Sequence, residues 1–120
     1  MAFPPALLTH SFYAVERSDM AKSKRRESYT VKINNVEWTI RMVDPGPWTF
    51  DTPMGECSHP ESNKREILIS NRLEGEELVE IIIHEMLHAS MWIVSEETVD
   101  QTAKDISQAL AIITKEAGKA

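Results

Sequence analysis

Two histidines and a glutamate stand close together in Ile83-His84-Glu85-Met86-Leu87-His88-Ala89. On an α-helix, positions four apart lie on one face, about a turn from each other. That spacing aims both imidazoles at one point in space, as two ligands of a tetrahedral zinc ion require. Glu85 follows the first ligand and would sit beside the open coordination position, where it can take a proton from an activated water. The chemistry to expect from this arrangement is hydrolysis, of peptide bonds in the first place, with one zinc ion per chain. The bland alternative is two core histidines bonded to backbone, with Glu85 paired to an arginine. The surroundings weigh against it. Leu78-Val79-Glu80-Ile81-Ile82-Ile83 precedes the motif and Met91-Trp92-Ile93-Val94 follows it. A helix apolar nearly all round is expected to be buried. Buried histidines and carboxylates without partners are costly, and a metal ion is one partner that satisfies several at once.

A catalytic zinc site takes three protein ligands and leaves one position for water. No histidine follows His88; the others are His10 and His59. The nearer candidates are the acidic residues just past the helix. Ser95 is placed to cap a second helix with Glu96 and Glu97 in its first turn. In that helix Val99, Ala103, Ile106, Leu110 and Ile113 recur at 4-3-4-3 spacing, a single apolar seam for packing on the first. Glu96 lies one turn before Val99, near the seam, whereas Glu97 points away at about 100° per residue. Glu96 is therefore the expected third ligand, ahead of Glu97, with Asp100 a weaker choice. Simple helix-start electrostatics accounts for whichever acid is not a ligand.

The elements that must position these residues are legible upstream. Tyr29, Val31 and Ile33 alternate with polar residues, as do Val36, Trp38, Ile40 and Met42. Asn34-Asn35 between them suits the positive φ of a two-residue hairpin turn. Asp44-Pro45-Gly46-Pro47 stops the second strand. Trp48 and Phe50 beyond it are read either as closing the core or as lining a cleft. Gly55-Glu56-Cys57-Ser58 reads as a short strand, and Arg65 to Ser70 as another, with Ile67 and Ile69 on one face. The central helix is expected from Gly75 or Glu76 to about Val94, and the second helix ends at Gly118. The fold class is α+β: three to four short strands in an antiparallel or mixed sheet, packed on a buried helix and followed by a C-terminal helix.

Residues 1–27 carry no clean periodicity and read as an N-terminal extension to a single domain over 28–120. Thr9 to Met20 has the makings of a short helix. Lys22-Ser23-Lys24-Arg25-Arg26 reads as a solvated segment rather than a docking site for an acidic partner. The 120 residues suit one domain, and 42% apolar with 27% charged residues is ordinary for a globular chain. A net charge of −6 argues against nucleic acid as a partner. One cysteine rules out an internal disulfide, no apolar run approaches a membrane span, and the N-terminus lacks a secretory pattern. A cytoplasmic protein is expected.

The order of these motifs resembles a known group. Gly55-Glu56-Cys57, Arg65-Glu66-Ile67-Leu68-Ile69, Leu73-x-Gly75-Glu76-Glu77-Leu78, the His84-to-His88 motif, Trp92-x-x-Ser95-Glu96-Glu97-x-Val99 and Ala103-x-Asp105-Ile106 follow one another. The series, from about Tyr29 to Leu110, resembles a family of short zinc metallopeptidases of bacteria and tailed phages. They look like stripped-down gluzincins, zincins whose third ligand is a glutamate on the next helix. The resemblance implies a zincin-like domain that hydrolyses peptide bonds, with zinc on His84, His88 and Glu96 and with Glu85 as general base. It also implies that a peptide adds to an edge strand, for which Arg65 to Ser70 is the candidate.

Other roles are open to single residues. His59 or Tyr13 could support the oxyanion, Asp105 could hold an imidazole N–H, and Cys57 is either a zinc-blocking thiolate or, more simply, a buried thiol. Three rival functions also fit: a zinc-stabilised binding module without turnover, a zinc amidase acting on a non-protein amide, and a latent enzyme whose first 27 residues lie in its cleft. A zinc deaminase does not fit, because it needs a second and third ligand from a Pro-Cys-x-x-Cys segment.

Overall fold

The computed structural model describes residues 9–12, 26–47 and 52–118. Trp48, Phe50, Tyr13 and most of the basic run at 22–26 lie outside these residues. Five strands and two helices are present: β1 (Thr9–Phe12), β2 (Ser28–Ile33), β3 (Val36–Val43), β4 (Gly55–Ser58), β5 (Glu66–Ser70), α1 (Gly75–Ser90) and α2 (Glu96–Gly118). The strands form one mixed sheet in the order β1-β4-β5-β3-β2. Only the β3–β5 pair is parallel. The α+β class holds, with one strand more than expected. The extra strand is β1, which stands where a helix over Thr9 to Met20 was anticipated and draws part of the 1–27 segment into the sheet.

The hairpin forms as its alternation requires. Asn34 and Asn35 adopt φ of 51° and 65°, the left-handed conformation that a two-residue turn needs at both positions and that Asn tolerates. Asn34 also ties the turn to the end of α1, donating through Nδ2 to the Ser90 carbonyl at 3.1 Å. Ile33, Trp38, Ile40, Cys57, Ile67 and Ile69 face the helix side and are buried with Met54, Leu73, Ile81 and Ala89. A fully buried isoleucine contributes roughly 1.5–3 kcal/mol of transfer free energy. Ile67, Ile69 and Ile81 therefore anchor the sheet to α1. The outer face of β3 and β5 carries Arg41 and Glu66, paired at 2.9 Å.

Helix α1 ends at Ser90, four residues before the expected Val94. The Met91 N–H still bonds the Leu87 carbonyl at 2.8 Å, but Met91 itself has left helical geometry. Residues 91–95 reverse the chain, and Ser95 caps α2 by accepting from the Thr98 N–H at 3.2 Å.

The seam of α2 departs from the expected one. Val99, Ala103 and Ser107 are buried, while Ile106, Leu110 and Ile113 are exposed. Two small residues at four-residue spacing let the helices approach closely, and Ser107 Oγ reaches the Glu76 carbonyl at 3.4 Å. Glu76 lies in the first turn of α1, so α2 beyond Ser107 has run past its neighbour. Beyond it Leu110, Ile112 and Ile113 are exposed.

Candidate metal centre

The buried stripe of α1 is Ile81, His84, Glu85, His88 and Ala89, the i, i+3, i+4, i+7, i+8 pattern of one helix face. The polar residues of the motif thus share a face with the apolar residues that hold the helix to the sheet. His84, Glu85 and His88 are all completely buried.

Glu96, at the first position of α2, closes over the two histidines. Its Oε1 lies 2.7 Å from His84 Nε2 and its Oε2 lies 3.0 Å from His88 Nε2. The two Nε2 atoms are 3.2 Å apart. Nitrogen and oxygen donors about 2.1 Å from a tetrahedral ion stand about 3.4 Å from one another. The three side chains therefore need to open by less than about 1 Å to hold a divalent ion. Among the described residues, His84, His88 and Glu96 form the one group of three or more potential donors close enough to do so. The Glu96 side chain keeps 47% of its surface exposed, so the cluster opens toward solvent on that side. Glu97 is exposed and belongs to no such group.

Behind His84, Asp100 places Oδ1 3.9 Å from Nδ1. That is too long for a hydrogen bond, but close enough for the carboxylate to favour a proton on Nδ1 and leave Nε2 as the donor to a metal. Lys104 holds the other Asp100 oxygen at 3.1 Å. This is the position considered for Asp105, which instead accepts from Gln101 at 3.0 Å. The signal for Asp100 was its four-residue spacing from Glu96, which places it one turn further along the same helix face.

Glu85 is chemically the most unusual group. Neither of its carboxylate oxygens has a hydrogen-bond partner among the described residues. Burial, then the charges of Glu96 and Glu56, push its carboxyl well above the usual carboxylate range. Strand β4 lies directly against it. A Cβ built on Gly55 would come within 3.0 Å of Glu85 Oε2 and 2.7 Å of Ile81 Cγ2. Only glycine lets this strand pass so near the carboxylate, a requirement invisible without the packing. Cys57 on the same strand is fully buried. Burial and the nearby Glu85 push its thiol well up, so it sits in the core as a neutral thiol outside the donor cluster.

His59, just past β4, is drawn toward the site through Trp92. The His59 and Trp92 rings are 4.6 Å apart, and Trp92 lies 6.4 Å from His88. The Glu61 N–H bonds His59 Nδ1 at 3.0 Å, which directs a neutral ring to carry its proton on Nε2.

Strand β5 does not fit the role of peptide-binding edge. It is interior, with β4 hydrogen-bonded on one side and β3 on the other, so its backbone groups are taken. The strand nearest Glu85 is β4.

Compared with known proteins, the chain matches no family model, no curated protein and no solved structure. No described helix is long and apolar enough to cross a membrane.

Proposed function

We propose that the chain is a zinc-dependent peptidase of minimal gluzincin-like design. The observation that carries this reading is the convergence of His84, His88 and Glu96 beside the buried, unpartnered carboxylate of Glu85. The donor set of two imidazoles and one carboxylate is that of a catalytic zinc site with a position left over. Zinc, when bound there, supplies an acidified water and polarises the scissile carbonyl. The protein supplies the rest. Glu85 accepts the proton of the attacking water at its carboxylate and returns it to the leaving amine. Asp100 orients His84 from behind. His59 and Trp92 form a wall at one end of the site.

A non-catalytic zinc module would close the fourth position with Cys or His. Among the described residues no fourth donor joins the group, which favours the enzyme. The test uses the zinc-loaded full chain and an unfolded protein such as casein. Glu85→Gln should keep one zinc per chain and lose hydrolysis by about 100-fold or more, the scale of a general base. Glu96→Ala should lose zinc. Full activity in Glu85→Gln would overturn the mechanism, and full zinc occupancy in Glu96→Ala would overturn the ligand set.

A further inference from the structure

Strand β4 has two edges. One is held by β5, and the other is held by the chain's own Thr9–Phe12. The pairing is antiparallel, with Thr9 opposite Ser58, His10 opposite Cys57, Ser11 opposite Glu56 and Phe12 opposite Gly55. Gly55 is the residue that lies against the Glu85 carboxylate. Backbone added to this edge therefore passes beside the group that would accept a proton, and β1 makes contacts with α1 as well. The other edge of the sheet is β2, three strands from β4 at the far side. Strand β4 thus lies against Glu85, the residue between the two histidine positions, and its outer edge is taken by a short segment in extended conformation.

We infer that Thr9–Phe12, paired on the outer edge of β4, is a built-in competitor that keeps the site latent by holding the edge on which an extended peptide would dock. Docking stands on the sheet geometry, whereas the latency rests on the peptidase reading. Backbone hydrogen bonds supply the affinity in such strand addition, so an unfolded peptide of varied sequence is the kind of partner it admits. The competitor is four residues long, and short edge pairings are weak in isolation. It gains its hold from being tethered. Belonging to the same chain makes its docking intramolecular, which raises its effective concentration at the edge, so it displaces peptides that bind weakly and yields to those that bind well. If it holds the edge about nine-tenths of the time, a competing peptide binds about tenfold more weakly than to the vacant edge.

The experiment compares locked and released forms of the full chain. In a Cys57→Ala background, Ser11→Cys with Glu56→Cys places two thiols at an opposed cross-strand pair, within reach of a disulfide. The released form is His10→Pro with Ser11→Pro. Successive amides point to opposite sides of a strand, so one of the two prolines removes a donor to β4 whichever way the ladder runs. The probe is a fluorescein-labelled synthetic peptide with the sequence of residues 6–15, followed by anisotropy and by hydrogen exchange of the Gly55–Ser58 amides. The locked chain should fail to bind the peptide, and reduction of the same chain should restore binding. The released chain should bind about tenfold more tightly than wild type, with the peptide protecting the β4 amides. Equal affinity in locked and reduced chains overturns the inference. So does failure of the cross-link to form in the folded protein, or peptide binding that leaves the β4 amides unprotected. Casein hydrolysis by the zinc-loaded forms is read separately. Binding that follows the lock without hydrolysis in any form overturns the peptidase reading and supports β4 as the docking edge.

Discussion

Glu85 concentrates the chemistry and the cost of this site in one residue. Its carboxyl is held well above the ordinary range by burial and by the charges of Glu96 and Glu56. A carboxyl whose folded pKa exceeds its unfolded one binds its proton more tightly when folded. Its contribution to stability is complete below the unfolded value near 4.5 and is lost as pH rises toward the folded one. The metal-free chain should therefore lose stability across that window, and Glu85→Gln should lose less. Thermal melts in chelator from pH 4 upward check this: at neutral pH the substitution should raise the metal-free midpoint by a few degrees even as it abolishes hydrolysis. Gly55 is the complementary case. Gly55→Ala forces a methyl against Ile81 and Glu85 and should destabilise by about 1–3 kcal/mol, the usual cost of overpacking, read by denaturant unfolding. Both effects originate in a single contact between β4 and α1.

At the level of elements, the decisive device is the break between the helices. Met91 to Ser95 turn the chain so that Glu96, the first residue of α2, falls back on His84 and His88. The Ser95 cap holds that start in place. Ser95→Ala should cost about 1 kcal/mol of stability. It should also weaken metal binding, because the first turn of α2 frays and Glu96 goes with it. Titration with a chromophoric chelator measures the second effect, and unchanged affinity would show that packing at Val99 and Ala103 positions Glu96 without the cap. The helix break and the cap were legible from Ser95-Glu96-Glu97. The early end of α1 was not, because Met91-Trp92-Ile93-Val94 is as apolar as the helix before it. Trp92 instead lies outside the helix with its ring tilted against that of His59, a tertiary preference overriding a local pattern.

For the whole molecule, a donor set on two packed helices would make metal binding a folding term. Two fully buried histidines and a carboxylate meet between the helices, and a bound ion would gather all three. Saturating metal should stabilise by roughly 4 kcal/mol at roughly 1,000 times the dissociation constant, a rise in midpoint on the order of 20 °C for a domain of this size. Scanning calorimetry with zinc and then with excess chelator reads the difference, and no shift would mean that the cluster does not bind metal. The outer end of α2 belongs to a different regime. Leu110, Ile112 and Ile113 are exposed on helix that runs past α1, so they add little to the core despite their composition.

The one-dimensional order of residues was enough for the hairpin, whose alternation and Asn34-Asn35 turn are local rules, and for the α+β class. It was also enough to single out His84, His88 and Glu96, which the folded chain brings together, because helical spacing is a property of the chain alone. Four things needed the folded chain. The interior position of β5 depends on which strands flank it. The place of Thr9–Phe12 depends on a partner some 45 residues away. The α2 seam keeps Val99 and Ala103 but continues to Ser107 rather than to Ile106 and Leu110, because close approach of two helices rewards small residues over large apolar ones. The need for glycine at 55 comes from a carboxylate on another element. Local periodicity reports what a segment can do, whereas the pairing of strands and the distance between packed surfaces are set between segments. For the motif at His84 to His88, the sequence supplied the donors, and the turn at Met91 to Ser95 brought Glu96 to them.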